Sequence, residues 1–229
     1  MRNKVWGLLI IGSLSCLAYA DHPMRNTPPG LPAGSPPSLQ RALFRQLPAG
    51  VLVDEPPEQS EIADFQWHAK GDFQLGWTDK IFMRGLVLST HRYRKADGDD
   101  MAALSPVDVV IGWQRMSDPS VVSAINIRQS DRFYYWRVEA FPIPREEIEL
   151  TSTNVHMIAD NDEVLQQLQA LQPGDVVSME GYLTDVKDAD GFIWTTSRVR
   201  NDHGDGACEI LLVKHISLLK QLQSERPAP

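Results

Sequence analysis

The chain has few cysteines, fewer bases than acids and no long apolar run, and each shortage excludes a class of protein. Two of its 229 residues are cysteine, so it is not a small secreted scaffold stapled by several disulfides. Lysine and arginine number 22 against 30 acids. This deficit argues against nucleic-acid binding, which needs basic side chains to displace phosphate counterions. Because a membrane helix needs about 20 apolar residues, we expect no integral membrane span in the mature chain.

The first 20 residues have the anatomy of a secretory signal peptide. Arg2 and Lys4 form a positive start, residues 8–17 form a short apolar core, and a small-x-small cleavage site ends at Ala20. This pattern predicts cleavage after Ala20 and an exported protein, either periplasmic or secreted. The alternative is a lipoprotein anchored at Cys16, although the bacterial lipoprotein signal has leucine where Ser13 stands.

Cleavage after Ala20 would leave Cys208 as the last cysteine of the chain. A single thiol forms no internal disulfide. Free cysteines are among the most buried residue types, whereas an exposed thiol in an oxidising compartment indicates a function. Both readings of Cys208 stay open from the sequence.

Composition divides the rest of the chain into three parts. Residues 21–62 are rich in proline and glycine and are interpreted as an arm or linker. Residues 63–216 form a single β-rich domain, and residues 217–229 form a C-terminal tail. Within the arm, four apolar residues at helical spacing predict a short amphipathic helix that docks on the domain or on a partner: Leu39, Leu43, Phe44 and Leu47.

The pattern of the domain predicts a mainly β, α+β fold. Strands are expected at 81–93, 107–113, 176–186, 192–199 and 207–215, with Gly85 as a bulge. Residues 125–128 and 132–141 read as a hairpin. Asp160 and Glu163 have capping-box spacing and start the clearest helix. We therefore expect an antiparallel barrel like the oligonucleotide/oligosaccharide-binding (OB) fold, or a sandwich, with one capped amphipathic helix.

Two acidic, glycine-containing loops invite comparison with calcium sites, but neither matches the EF-hand spacing. The loop at Gly191 has Val186 at the opening position and Ser197 at the closing one, and the loop at Gly206 has Leu212 at the closing one. No cysteine or histidine pair has zinc-site spacing. The loops are interpreted as turns, and we predict neither a metal nor a cofactor.

The catalytic hypothesis depends on Cys208, because the serine-hydrolase elbow and the phosphate-binding loop are absent. A thiol nucleophile needs a base that a third group orients. His156 is the candidate base, with His203 as a local rival. Asn154 is the candidate orienting group, because residues i and i+2 of an extended segment share a face.

A binding hypothesis depends on the aromatic residues. In the segment "RFYYWR", Phe133 and Tyr135 lie on one face of a strand, and Tyr134 and Trp136 lie on the other. One face meets the core, and the second is free to stack on a ligand. The candidate binding residues are Trp113, Tyr134, Trp136, Asp202 and Glu209.

Four segments carry a family resemblance: "GWQRMSD" at 112–118, "NVHMI" at 154–158, "GDVVSMEGYL" at 174–183 and "DGFIWTTSRVRNDHGDGACEILLV" at 190–213. They resemble a family of uncharacterised bacterial exported or membrane-linked proteins. The resemblance implies a bacterial protein with one continuous domain. That family has no established activity, so the resemblance implies no catalytic role.

Three functions remain open. The leading hypothesis is an exported, non-enzymatic binding or accessory module of the bacterial envelope, whose partner is an unknown envelope protein or a small ligand. The second is a thiol-dependent hydrolase or transferase that uses Cys208 with His156. The third is a structural envelope protein whose helix at residues 39–47 docks on a partner.

Overall fold

The computed structural model describes residues 19–20, 41, 43–47, 49–94, 98–199 and 208–221. Its strands are β1 (Tyr19–Ala20), β2 (Glu58–Glu61), β3 (Trp67–Lys70), β4 (Phe73–Arg92), β5 (Val107–Gly112), β6 (Ile125–Ser130), β7 (Phe133–Val138), β8 (Ser152–Ala159), β9 (Asp175–Lys187), β10 (Ile193–Trp194) and β11 (Glu209–Gln221). Its helices are α1 (Pro119–Val122), α2 (Arg145–Leu150) and α3 (Asp162–Ala170).

Five of these strands close into a ring, which confirms the predicted mainly β, barrel-like fold. The pairings run β4–β5–β8–β11–β9 and return to β4. Helix α3 connects the third barrel strand, β8, to the fourth, β9. The pair β8–β11 is parallel and the other barrel pairs are antiparallel, so the sheet is mixed rather than purely antiparallel.

The long strand β4 is what allows the ring to close. One edge pairs with β9 from Gln74 to Leu86, and the other edge pairs in turn with β3, β2 and β5. Its register shifts lie at 77–79 and 87–89, so the bulge predicted at Gly85 is wrong. Gly85 instead serves close packing, because a Cβ there would lie 2.3 Å from the Ile111 side chain.

The connection between β5 and β8 contains the predicted hairpin, formed by β6 and β7. Its turn residues Asp131 and Arg132 both have positive φ, 53° and 68°, as two-residue hairpin turns require. Strand β1, immediately before the predicted cleavage site, pairs in parallel with β7. Helix α1 begins after Asp118, whose carboxylate accepts a hydrogen bond from the Ser120 N–H at 2.8 Å.

Helix α3 was predicted, but its cap is one residue later than expected. The Asn161 side chain accepts a hydrogen bond from the Val164 N–H at 3.0 Å, while Asp160 forms an ion pair with Lys214 at 2.7 Å. The strand predicted at 192–199 is reduced to β10, because the chain leaves the sheet after Trp194.

The proline-rich segment is part of the fold from residue 41 onwards. Residues 41 and 43–45 are helical, and Phe44, Leu47 and Val53 are buried in the main hydrophobic core. Strand β2 pairs with β4. Residues on the N-terminal side of the predicted boundary between 62 and 63 thus contribute a strand to the sheet, and the short helix packs into the chain's own core.

Most of the predicted signal peptide, including Cys16, lies outside the described residues, as does the tail beyond residue 221. Within the described part of the chain, no helix combines the length and the apolar character that crossing a membrane requires.

Candidate functional site

Three adjacent barrel strands present two different faces because their side chains alternate. The inner face of β5, β8 and β11 is mainly apolar and points into the barrel: Val107, Val109, Ile111, Val155, Met157, Leu211 and Val213. The outer face carries polar groups in register, with Asp108 opposite His156 and His156 opposite Ile210. Asn154 lies two residues before His156, and Cys208 directly precedes β11. The outer face is the candidate site.

The structure brings Asn154 and Cys208 together. The Asn154 amide nitrogen lies 3.6 Å from the Cys208 sulfur and donates a hydrogen bond to the Arg132 carbonyl at 3.2 Å. Its amide oxygen accepts a hydrogen bond from Gln129 at 2.8 Å. Both side chains are buried, and Cys208 is disulfide-bonded rather than a free thiol. Cleavage after Ala20 would remove Cys16, the only other cysteine in the sequence.

His156, the candidate base, is engaged with a different partner. Its Nδ1 lies 2.9 Å from a carboxylate oxygen of Asp108, and its ring centroid lies 4.6 Å from that of Trp194. The side chain is buried. The predicted shared face of Asn154 and His156 therefore exists, but both residues lie inside the protein instead of lining an open cleft.

The centre of this buried site is Arg132, a residue that the sequence analysis did not single out. Only 3% of Arg132 is exposed. Its guanidinium donates to Asp99 at 2.8 Å and to Asp108 at 2.9 Å, and it lies 3.7 Å from the centroid of the Tyr93 ring. The backbone N–H of Arg132 donates to the Tyr93 hydroxyl at 3.0 Å.

The pKa of Tyr93 reflects the burial and the charges of the site. Burial raises the pKa of its hydroxyl far above the ordinary value, and the neighbouring Asp108 carboxylate raises it further, while Arg132 opposes part of this rise. The hydroxyl therefore stays protonated at any physiological pH. The site combines a guanidinium, two carboxylates and a neutral phenol in mutual contact.

The three aromatic candidate binding residues are buried. Trp113, Tyr134 and Trp136 belong to the main core, and the Tyr134 hydroxyl lies 3.3 Å from the Ser152 hydroxyl. Core packing, rather than ligand contact, therefore occupies the Tyr134/Trp136 face of the strand. The opposite face, with Phe133 and Tyr135, is half-buried.

The two acidic candidates have different outcomes. Glu209 is buried, and its carboxylate accepts a hydrogen bond from the Thr153 hydroxyl, so it does not offer a charge to an external ligand. Asp202 and the rival base His203 lie outside the described residues.

A further candidate, not predicted from the sequence, is an exposed pair of aromatic residues. Phe65 and Trp67 are 47% and 40% exposed, and their rings meet edge to face with centroids 5.3 Å apart. Both pack over Gly76, where a Cβ would lie 2.4 Å from the Phe65 ring and 3.2 Å from the Trp67 ring. The sequence signal for this pair was two aromatic residues, separated by one position, next to several acids.

The surroundings of this pair are negative. Residues 54–64 contain five acids and no base. Arg198 is close by, but it binds Asp79 at 2.6 Å and Glu61 at 3.0 Å. Burial raises the pKa of the Asp79 carboxyl, but hydrogen bonds from Arg198, Gln59 and Thr78 outweigh burial and hold it below the ordinary value. The Arg198 charge is thus compensated within the chain.

The loop at Gly191 is a turn, as predicted. An Asp188 carboxylate oxygen accepts the Phe192 N–H at 2.8 Å, and Gly191 has a φ of 86°. The loop at Gly206 lies outside the described residues. Among the described residues, no group of three or more His, Cys, Asp or Glu side chains is arranged to hold a metal ion.

Comparisons with known proteins give no further guidance, since no protein-family model, no curated protein and no solved structure matches this chain.

Proposed function

We propose that the chain is a non-enzymatic binding or accessory module exported to the bacterial envelope. The observation that carries this proposal is the burial of Asn154, His156 and Cys208, together with the hydrogen bond from Asn154 to Arg132 and the 2.9 Å contact between His156 and Asp108. A thiol enzyme needs an accessible nucleophile with a base within hydrogen-bond reach. The same burial argues against the alternative of a hydrolase or transferase that uses Cys208 with His156.

The surface best suited to a partner is the acidic aromatic strip, which we define as Glu58, Glu61, Asp64, Phe65 and Trp67. Aromatic side chains are enriched in interfaces because they provide large contact areas with few rotatable bonds. All five members of the strip are exposed, and three of them are acids. Their negative charge favours a basic or neutral envelope component as the partner.

The third hypothesis, a structural protein that docks through the helix at residues 39–47, is less well supported. Phe44 and Leu47, two of the four apolar residues of that helix, are buried in the chain's own core. Because these two side chains are buried in the core, they do not contact a partner.

Binding is tested with the mature chain, residues 21–229, by co-sedimentation with purified bacterial cell envelopes. We expect Trp67→Ala, combined with Phe65→Ala, to weaken binding about tenfold or more, as loss of interface aromatics does. Phe141→Ala is the matched control, because Phe141 is 55% exposed and lies outside the strip. Equal binding by all three proteins would overturn the assignment of the strip.

The catalytic alternative is tested on the same mature chain with a thiol reagent at neutral pH. We expect Cys208 to react only when the protein is unfolded, because its side chain is buried. A thiol that reacts in the native state faster than free cysteine, and that slows in His156→Gln, would instead favour the enzyme.

A further inference from the structure

One turn of the chain covers the outer face of β5 and β8. The turn between β6 and β7 places Arg132 against Asp108 and Asn154. In five-stranded OB-like barrels the face of the second and third strands, together with the loops after the first and fourth strands, binds ligands. Here β5 and β8 are those strands, and the chain's own hairpin occupies their outer face.

The contacts of Arg132 are those by which proteins recognise an arginine from another molecule. Two carboxylates, Asp99 and Asp108, accept from its Nε and from one terminal nitrogen, and charge-assisted bonds to carboxylates are among the strong hydrogen bonds. The Tyr93 ring lies under the guanidinium at 3.7 Å, which adds a cation–π contact. The Ser105 hydroxyl lies 3.4 Å from the same terminal nitrogen that binds Asp108.

These contacts come from the second barrel strand and from the two connections that border its outer face. Tyr93, Asp99 and Ser105 belong to the connection between the first and second barrel strands, and Asp108 belongs to the second strand itself. Trp194, from the connection between the fourth and fifth barrel strands, has its ring centroid 5.9 Å from the guanidinium carbon. The groups that contact the guanidinium are therefore supplied by the barrel strands and their connections, and the hairpin turn supplies the arginine.

The backbone of the turn is held in place by the same site. Asp131 and Arg132 both have left-handed φ values, which non-glycine residues adopt at a cost in free energy. The Arg132 N–H donates to the Tyr93 hydroxyl, and its carbonyl accepts from Asn154. The barrel thus binds the turn through side chain and backbone together, as it would bind a peptide.

We propose that the outer face of β5 and β8 is an arginine-binding site that the chain fills with its own Arg132, so that the turn between β6 and β7 is a strap that closes it, while the two strands stay anchored in the core. The external ligand of this site is an arginine side chain presented by a partner protein when the strap is displaced. Because Arg132 is tethered, its effective concentration at the site is of the order of millimolar or higher, and free arginine does not replace it in the closed protein.

The first test uses Arg132→Ala in the mature chain, with N-acetylarginine amide as the probe and thermal unfolding as the readout. We expect the probe to raise the unfolding temperature of Arg132→Ala in a saturable way, and to leave the wild type unchanged at the same concentrations. Adding Asp108→Asn should weaken this response at least about tenfold, since the charge-assisted bond is lost. N-acetyllysine amide controls for charge alone.

A folded Arg132→Ala protein that gives no saturable response, or that responds equally to the lysine probe, would overturn the proposal. The wild type supplies a second test that does not depend on this variant. Native-state hydrogen exchange should show the Arg132 amide, which is bonded to the Tyr93 hydroxyl, opening well before the amides of β8 and β11, as a separate strap requires. Exchange of the Arg132 amide only through global unfolding would also overturn the proposal.

Discussion

The inner and outer faces of the same three barrel strands are equally hidden from solvent, but the inner face is mainly apolar, whereas the outer face mixes apolar residues with buried polar ones. Val109, Met157 and Leu211 face inward and fill volume. Asp108 and His156 face outward, and Asp108 lies 2.9 Å both from the Arg132 guanidinium and from the His156 ring. Burial alone therefore does not identify a core. The inner face is covered by the rest of the barrel, and the outer face is covered by a single hairpin turn and two connections.

The difference predicts different responses to substitution. Apolar packing is not directional, so side chains of similar volume replace one another with small losses. A buried ion pair needs each member, because removal of one partner leaves an uncompensated charge away from water. The outer face should therefore tolerate fewer conservative changes than the inner face, although both are buried.

The largest effect is expected for Asp108→Ala on the outer face. The change leaves the buried Arg132 with Asp99 as its remaining carboxylate partner among the contacts described. We expect the free energy of unfolding to fall by about 4 kcal/mol, measured by urea denaturation. Asp100→Ala is the matched control, because Asp100 is an exposed acid nearby. A loss below about 1 kcal/mol would show that Arg132 is stabilised by other means.

The second prediction concerns Met157, which is fully buried on the inner face. Met157→Ala should lower the free energy of unfolding by about 3 kcal/mol, because it removes apolar volume and leaves a cavity. Met157→Leu conserves volume and should lower it by less than about 1.5 kcal/mol. If Asp108→Asn is tolerated as well as Met157→Leu in the same denaturation assay, the contrast between the faces fails.

The same contrast between the two faces explains which features of the fold could be predicted from the sequence. The run of β-branched residues at 107–113 predicted strand β5, because side-chain packing favours such residues in sheets. Alternation predicted that Asn154 and His156 share a face, and that Tyr134 and Trp136 share another. Alternation does not decide which face meets the core, and so Tyr134 and Trp136 were chosen as ligand contacts although they are buried.

The pairing of Arg132 with Asp108 was out of reach for a different reason. The two residues are 24 positions apart and meet only because the hairpin folds back onto the barrel. No local pattern encodes that docking. The same holds for Phe44 and Leu47, whose helical spacing was recognised but whose burial on the barrel is a tertiary contact.

The smallest effect is expected at the barrel edge, where Arg198 repeats the pairing of Arg132 in a more exposed setting. Its side chain is 43% exposed, so the pair with Asp79 should contribute less than about 1 kcal/mol. Hydrogen bonds hold the pKa of Asp79 below its ordinary value. The stabilisation is therefore present above the ordinary aspartate pKa of about 3.9 and is lost as the pH falls through the folded-state value.

Arg198→Met should accordingly lose less stability than the wild type when the pH is lowered from 6 to about 3, as measured by urea midpoints. Lys80→Met, which removes a positive charge from another exposed ion pair, controls for the change in net charge. A pH dependence identical to that of the wild type would mean that Arg198 does not set the protonation of Asp79. The stability lost in Arg198→Met would then be compared with that lost in Asp108→Ala. Both variants break an arginine–aspartate pair, so the difference between them measures how much burial adds to the contribution of such a pair.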